Sequence, residues 1–196
     1  MTSITATKLL SAIATVFALS ITAHSHPGAK TRTSMKLTLP VRDAVDAKST
    51  KKTVQKLAGP YAHLVMTAAR KAHVPAKLVA AVVHVENGGN FHGSTTRVSS
   101  AGAIGVMQLE PNTAWNTLRV NPWNARQNIE GGARYLASML RQFHGDVRMA
   151  LMAYNAGPTS IAQGDRPLDA VVYAKKVMRD AGIGDGTSEM VAVSRL

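Results

Sequence analysis

A single glutamate, Glu86, stands at the end of an apolar run that begins at Leu78, and Asn87 and two glycines follow it directly. From Ala47 to Leu109 it is the only acidic residue, although lysines and arginines are plentiful there. Desolvation disfavours the charged form of a carboxyl group, so an acid at the apolar end of a helix keeps its proton to higher pH. Such a group suits general acid catalysis near neutral pH, whereas most glutamates simply face water. Spacing alone leaves both interpretations open.

The residues before Glu86 predict the helix that would hold it. Pro75 is typical of a first helical turn, so residues 76–85 are predicted to form a mostly buried helix. Val79, Val82 and Glu86 follow the helical spacing i, i+3, i+7. This spacing places the carboxylate on the same stripe as the two valines.

A second segment, residues 99–109, is small and glycine-rich and then becomes apolar around a lone Gln108. Gly102 and Gly105 lie three residues apart, and glycines allow a close backbone approach or dihedral angles that other residues avoid. Taken alone, the segment predicts a tight loop that leads into a helix, with Met107 filling the core.

Helices are also predicted on both sides of these segments. One ends near His73, before Pro75. Downstream, residues 128–144 carry an apolar stripe at helical spacing, with Asn128 as the expected N-cap. Asp146 is expected to cap the next helix, which ends at Gly157-Pro158, and a last helix runs from Pro167 to about Ala181.

Together these segments resemble the catalytic domain of the soluble, Slt-like lytic transglycosylases, relatives of goose-type lysozyme. The resemblance rests on four features in order: Glu86 at a helix end, Ser-x-x-Gly-Ala-x-Gly-x-Met-Gln at 99–108, Pro-x-Thr-Ala at 111–114 and Ala-Tyr-Asn-Ala-Gly-Pro at 153–158. It covers roughly residues 60–180. It implies a mainly α, lysozyme-like single domain of about six to eight helices around a sugar-binding groove.

The resemblance also implies a reaction and a set of site residues. In that family one glutamate acts first as acid and then as base, cleaving the β-1,4 bond between N-acetylmuramic acid and N-acetylglucosamine in peptidoglycan and leaving a 1,6-anhydro end. Glu86 would be this catalytic residue, with no metal and no cofactor. By the same resemblance the residues that contact sugar, orient Glu86 or pack the groove wall are Ser99, Met107, Gln108, Tyr154 and Asn155.

Two departures from the family pattern keep alternatives open. Asn87 replaces the serine that usually follows the catalytic glutamate, and Glu110 stands where an apolar residue commonly precedes the proline. Ordinary glycosidases use two carboxylates, and Glu110, Glu130 and Asp146 are the other acids of the central part of the chain. A lysozyme-type muramidase that hydrolyses the same bond is therefore one alternative. The other is a catalytically idle wall-binding component of a secretion or assembly apparatus.

The two ends of the chain differ from its centre in composition. Residues 1–25 carry Lys8 and then an apolar run, and they predict a signal peptide cleaved after Ser25, with an uncleaved membrane anchor as the alternative. Residues 26–59 contain eight lysines and arginines against two aspartates, which predicts a basic flexible linker. The folded transglycosylase domain is expected at residues 60–182, and a flexible tail at 183–196.

The net charge and the predicted export together limit the kinds of partner that we expect. The net charge of +12 favours anionic partners. For an exported protein, periplasmic or associated with the cell wall, these are an anionic wall polymer or membrane surface contacted through the basic linker, and nucleic acid is not expected. Peptidoglycan strands are the substrate that the resemblance implies, a secretion-system component is a partner class left open, and a monomer is expected.

Some functional classes are excluded by residues that the chain lacks. It has no cysteine, which excludes disulfides, thiolate metal sites and a lipoprotein anchor. It also has no H-E-x-x-H and no G-x-S-x-G motif, so metalloprotease and serine hydrolase are not supported.

Overall fold

The computed structural model describes residues 41–184, with side chains from residue 46 onward. Within this range the chain forms seven α-helices: α1 (Val41–Ala58), α2 (Ala62–Ala72), α3 (Ala76–Asn87), α4 (Ala125–Gln142), α5 (Val147–Ala156), α6 (Pro158–Ala162) and α7 (Leu168–Ala181). A short 3₁₀ turn, Gly59–Tyr61, joins α1 to α2, and a π-helical turn, Thr113–Leu118, precedes α4. The expected mainly α fold is confirmed.

The helix ends follow the signals in the sequence. Pro75 immediately precedes α3, and Gly88 ends it with a left-handed φ of 56°, its N–H directed to the carbonyls of His84 and Val85. Asp146 caps α5 as expected, because its side chain accepts a 3.0 Å hydrogen bond from the backbone N–H of Met149.

The N-cap of α4 differs from the expected one. Asn124, and not Asn128, precedes the helix, and its side chain accepts a hydrogen bond from the backbone N–H of Gln127. Asn128 lies one turn inside α4 and is fully buried. A capping residue precedes the first turn of its helix. The cap was placed at Asn128 because the apolar stripe begins at Ile129, whereas the helix begins one turn earlier, at Ala125.

The structure also differs from the expected linker in its second half. Residues 41–58 form α1, which packs against α2 and α3. Its buried residues, Val54, Leu57 and Ala58, have helical spacing i, i+3, i+4, and the two residues between Val54 and Leu57, Gln55 and Lys56, are exposed. A stripe this narrow is difficult to recognise in a lysine-rich segment, and so the sequence predicted a linker here. Because α1 packs on the other helices, the folded domain begins well before residue 60. The expected signal peptide, the linker up to residue 40 and the tail from residue 185 lie outside the described residues.

The buried helix α3 lies at the centre of the part of the domain that positions Glu86. Its residues 78–83 are almost completely buried, since α1, α2 and α7 all pack around it. Complete burial of a Val or Leu side chain stabilises a fold by roughly 1.5–3 kcal/mol, so a helix apolar on all sides is strongly held. α5 packs in turn against α4, α6 and α7. α3 and α7 therefore meet directly within the core.

Within residues 41–184, no helix combines the length and the apolar character needed to cross a membrane.

Candidate active site

Glu86 occupies the last turn of α3 and lines a cleft of about 260 Å³. Four other residues expected from the sequence to contact substrate line the same cleft: Ser99, Gln108, Tyr154 and Asn155. They come from the glycine-rich segment and from the C-terminal end of α5, two regions that lie far apart in sequence. The structure thus brings together five of the six predicted site residues.

The carboxyl group of Glu86 is held by Tyr173, whose hydroxyl donates a 2.7 Å hydrogen bond to Glu86 Oε1. Tyr173 belongs to α7 and is itself buried. The sequence suggested no role for this tyrosine beyond a place in the last helix.

Burial raises the pKa of Glu86 from its ordinary value of 4.5 to about 7, while the hydrogen bond from Tyr173 acts in the opposite direction and lowers it. The desolvation effect is the larger of the two. Near neutral pH the carboxyl group is therefore close to the midpoint of its titration. A group in that state can donate a proton and later accept one, which is the requirement for combined acid and base catalysis.

Three tyrosines form a row behind the cleft. The rings of Tyr154 and Tyr173 are parallel, with centroids 6.5 Å apart, and those of Tyr135 and Tyr154 are tilted, with centroids 5.3 Å apart. Burial, and next the negative charge of Glu86, raise the pKa of both Tyr154 and Tyr173 well above the ordinary value. Both phenols therefore stay protonated and remain hydrogen-bond donors.

Tyr154 reaches the glycine-rich segment rather than Glu86. Its hydroxyl donates a 2.9 Å hydrogen bond to the carbonyl oxygen of Met107. The tyrosine consequently fixes the backbone next to Gln108 while the edge of its ring borders the cleft.

Met107 does not line the cleft, contrary to the expectation that it packs the groove wall. Its side chain is fully buried against Gly132 of α4, where an added Cβ would lie 2.5 Å from the Met107 sulfur. The apolar character of residues 104–109 indicated burial but not the side to which each residue turns. Met107 contributes to the site only through its backbone, which binds Tyr154 and Asn128.

Asn128, which the sequence predicted as a helix cap, instead binds the backbone of the glycine-rich segment. Its Oδ1 accepts a 2.8 Å hydrogen bond from the backbone N–H of Met107, and its Nδ2 donates to the carbonyls of Ile104 and Pro122, each at 2.9 Å. All hydrogen-bonding groups of a buried amide are thereby used. A polar amide within the apolar stripe of α4 was the available signal for this role.

The glycine-rich segment folds back on itself at the mouth of the cleft. Ile104 and Leu109 exchange two backbone hydrogen bonds, of 2.8 and 2.9 Å. Gly105, with φ of 81°, has no room for a side chain, since a Cβ would lie 2.5 Å from both the Asn128 amide and the Pro122 carbonyl. Gln108 adopts a left-handed φ of 47°, which is uncommon for a residue other than glycine.

The polar ends of Gln108 and Ser99 both bind this segment. Gln108 Nε2 donates to the carbonyl of Gly105 at 2.8 Å. Ser99 Oγ accepts a 3.0 Å hydrogen bond from the backbone N–H of Ala103. Each side chain still borders the cleft.

Asn87 ties the end of α3 to the glycine-rich segment. Its Nδ2 donates to the carbonyls of Val83 and Val106, each at 2.7 Å, and its Oδ1 accepts a 3.0 Å hydrogen bond from Arg97 Nη1. The side chain is buried. The substitution of asparagine for the serine usual in the resembled family therefore supplies a structural connection directly behind Glu86.

Of the other acids considered from the sequence, only Glu110 shares the cleft with Glu86. Glu130 pairs with Lys71 at 2.8 Å, and Asp146 caps α5. Among the described residues, no group of three or more His, Cys, Asp or Glu side chains is arranged to hold a metal ion.

A second side-chain contact joins the two helices that carry Glu86 and Tyr173. His84 Nδ1 lies 2.9 Å from Asp180 Oδ2, linking α3 to the last turn of α7. Asp180 is also paired with Arg179 at 3.2 Å. α3 and α7 are thus joined by two side-chain contacts, Glu86 with Tyr173 and His84 with Asp180.

Comparison of the chain with known proteins finds a matching family and several relatives. The model of the transglycosylase SLT domain family matches residues 63–167. A transglycosylase of Enterobacteria phage PRD1 is 38% identical over 112 residues, which cover 57% of this chain and 39% of the phage protein. The membrane-bound lytic murein transglycosylase F of Pseudomonas syringae pv. syringae is 34% identical over 97 residues, covering 46% of this chain and 19% of that protein.

Two solved structures share the fold. They are an inactive mutant of the lytic transglycosylase Slt from Pseudomonas aeruginosa and the 70 kDa soluble lytic transglycosylase from Escherichia coli. Each has a TM-score of 0.55 and covers 71% of this chain and 28% of the other, at 23% and 22% sequence identity respectively. The chain therefore matches well under half the length of each of these relatives.

Proposed function

The chain belongs to the transglycosylase SLT domain family, and on that premise we propose that it is a lytic transglycosylase that cleaves the glycan strands of peptidoglycan. The bond cleaved is the β-1,4 bond between N-acetylmuramic acid and N-acetylglucosamine, and the product carries a 1,6-anhydro muramoyl end. The observation that carries this proposal is one carboxyl group, Glu86, in a cleft, with a pKa of about 7 and a tyrosine hydroxyl at 2.7 Å.

In the first step Glu86 acts as the general acid. Its protonated carboxyl group donates a proton to the glycosidic oxygen as the bond from that oxygen to muramoyl C1 breaks. The N-acetylglucosamine side leaves with a hydroxyl group, and Glu86 becomes a carboxylate. Because Tyr173 already donates to Oε1, the new negative charge forms beside an oriented hydrogen-bond donor.

In the second step the same residue acts as the base. The carboxylate accepts the proton of the muramoyl C6 hydroxyl while O6 forms a bond to C1, which closes the 1,6-anhydro ring. Glu86 ends protonated, as it began, and no water is consumed. Since the internal hydroxyl replaces an external nucleophile, one carboxyl group suffices for the whole cycle.

The remaining cleft residues supply binding and orientation in this proposal. Gln108 and Asn155 offer amide groups, and Ser99 and Tyr135 offer hydroxyl groups, toward the hydroxyl and acetamido groups of the sugars. Asn87 and Asn128 do not line the cleft. Their side chains bind the backbone of residues 104–107 and hold it against α3 and α4. Tyr154 completes that support from α5.

A hydrolytic variant of the same cleavage is the second candidate, and Glu110 favours it. This carboxylate lines the cleft with Glu86, so it is in a position to activate a water molecule as the second acid of ordinary glycosidases does. The product then ends in a reducing muramoyl residue rather than an anhydro one.

The test is product analysis of purified peptidoglycan treated with the wild-type chain and with Glu86→Gln. Transglycosylation gives muropeptides that mass spectrometry finds lighter by one water than the reducing products of hydrolysis. We expect anhydro products from the wild type and none from Glu86→Gln, whose amide cannot donate a proton. Reducing products from the wild type would support hydrolysis instead. Full activity of the variant would remove Glu86 from the mechanism.

The place of action follows from the substrate. We propose that the protein works in the cell envelope, at the wall, as the names of its membrane-bound murein transglycosylase relatives suggest. Lysines on the exposed side of α1 add to those of residues 26–40 and favour contact with an anionic wall polymer or membrane surface.

A further inference from the structure

The cleft differs in charge from the rest of the molecule. The chain carries a net charge of +12, yet the described residues that line the cleft include two glutamates, Glu86 and Glu110, and no lysine, arginine or histidine. Glu86 holds its proton up to about neutral pH, and its role in the proposed reaction accounts for it. Glu110 is not used by that reaction.

Glu110 presents a free carboxylate to the cleft. Its side chain is exposed, and within residues 41–184 no hydrogen bond or ion pair engages it. Its backbone is fixed, because its carbonyl accepts a 2.8 Å hydrogen bond from the N–H of Ala114 and Pro111 follows it. The negative charge of Glu110 also affects Tyr135, which lines the same cleft. After burial, this charge is the second cause that raises the pKa of Tyr135.

The proposed substrate carries, close to every scissile bond, a lactyl carboxyl group whose charge depends on whether a peptide is attached. Each muramoyl residue bears a lactyl group whose carboxyl is bound in an amide to the stem peptide. In strands stripped of peptide the same carboxyl is free and negatively charged. The two forms of the strand thus differ in charge at each muramoyl residue that enters the cleft.

Building on the proposed function, we propose that Glu110 is a specificity-determining residue that selects peptide-bearing glycan strands over strands with free lactyl carboxylates. Like charges brought together in a cleft repel each other, and the described residues that line this cleft include no cation to offset the repulsion. An amide-linked lactyl group carries no such charge. The rejection is therefore electrostatic, and salt weakens it.

The test compares kcat/KM on peptide-bearing strands with kcat/KM on the same strands after enzymatic removal of the peptides. At low ionic strength we expect the wild type to prefer peptide-bearing strands by about tenfold, and at 1 M salt by less than about threefold. Glu110→Gln should bring the low-salt ratio close to one, mainly by raising kcat/KM on the stripped strands.

The matched control is Glu130→Gln, which makes the same change of charge outside the cleft, where Glu130 pairs with Lys71. It should keep the wild-type ratio. A wild type without preference, or a ratio unchanged in Glu110→Gln, would overturn the proposal. So would an equal loss on both substrates in Glu110→Gln, because that is the behaviour of a water-activating base.

Failure of this proposal is separable from failure of the proposed function. If the wild type yields anhydro products from both kinds of strand at equal rates and Glu86→Gln yields none, only the role of Glu110 is refuted. If the wild type yields no anhydro product from either kind, the proposed function itself is refuted. Circular dichroism and thermal unfolding of Glu110→Gln show whether a change in ratio arises in a folded protein.

Discussion

The hydroxyl of Tyr173 and the carboxyl of Glu86 meet at 2.7 Å although 87 residues separate them in the chain. This contact joins the C-terminal turn of α3 to the middle of α7. The contact also opposes the largest effect on the pKa of Glu86. Burial raises this pKa because it favours the neutral carboxyl group, whereas the hydrogen bond lowers it because it favours the carboxylate. The balance of the two places the pKa of Glu86 near neutrality.

Removal of this hydrogen bond by Tyr173→Phe should raise the pKa of Glu86 further above about 7, because only the lowering influence is lost. The alkaline limb of the pH–rate profile, which reports loss of the acid's proton, should move to higher pH. At the same time kcat should fall by about tenfold or more, since a hydrogen bond to a charged group contributes roughly 1.5–3 kcal/mol. A shift of the alkaline limb to lower pH would contradict this reading of the contact.

Glu86→Gln should make the protein more stable above neutral pH and leave its stability nearly unchanged below about pH 4.5. The unfolded carboxyl group ionises at its ordinary pKa of 4.5 and the folded one at about 7. The stabilisation that the neutral carboxyl group gives the wild-type fold is therefore fully present below pH 4.5. It is lost as the pH rises toward 7. The difference in unfolding free energy should grow across this window to about 1–3 kcal/mol in favour of the variant. Urea unfolding at pH 4, 6 and 8 measures it, and a constant difference would argue against a buried, neutral carboxyl.

Asn87→Ala should destabilise the domain by about 2–4 kcal/mol, because it removes the hydrogen-bond partner of the Val106 carbonyl and one of the three acceptors of the Arg97 guanidinium. Asn87→Ser should recover only part of the loss, since the shorter side chain cannot reach all three partners of the amide. Urea unfolding gives both values. The exposed neighbour Asn90 supplies the control: Asn90→Ala should cost under about 1 kcal/mol.

Val54→Asp tests whether α1 belongs to the folded domain. Val54 is fully buried where α1 packs on the rest of the domain, so a charge there should cost more than about 3 kcal/mol or prevent folding. Lys52→Asp, two residues away on the exposed side, should change stability by under about 0.5 kcal/mol. Equal tolerance of both changes would mean that residues 41–58 do not contribute to the fold. The milder Val54→Ala gives a measurable value if the aspartate variant does not fold.

Several helix ends after residue 60, and the place of Glu86 at the end of α3, could be predicted from the sequence because their signals are local. Pro75 and Gly88 mark the two ends of α3, Asp146 marks the start of α5, and the apolar run of α3 places Glu86 half-buried at the end of that helix. Each of these rests on dihedral preferences or hydrogen bonds within a few residues, which a sequence displays directly.

What could not be predicted depends on contacts between distant segments. The hydroxyl of Tyr173 finds Glu86 only after α7 packs on α3. The amide of Asn128 serves the backbone at Met107 and Ile104 across more than twenty residues, and so the same residue type at a helix start was read as a cap. Met107 turned inward toward Gly132 for the same reason, because the space for its side chain is provided by another helix.

The order of the two partners along the chain has a consequence for the cell that makes the protein. Glu86 emerges early in synthesis, but the hydroxyl that steadies its charge lies in α7, the last helix described. A nascent or truncated chain that carries α3 without α7 has the acid and lacks its partner, so the proposed wall-cutting activity matures only when residues as late as Tyr173 have been made and folded back. The topology thereby makes the proposed activity depend on the packing of α7 against α3, and not on Glu86 alone.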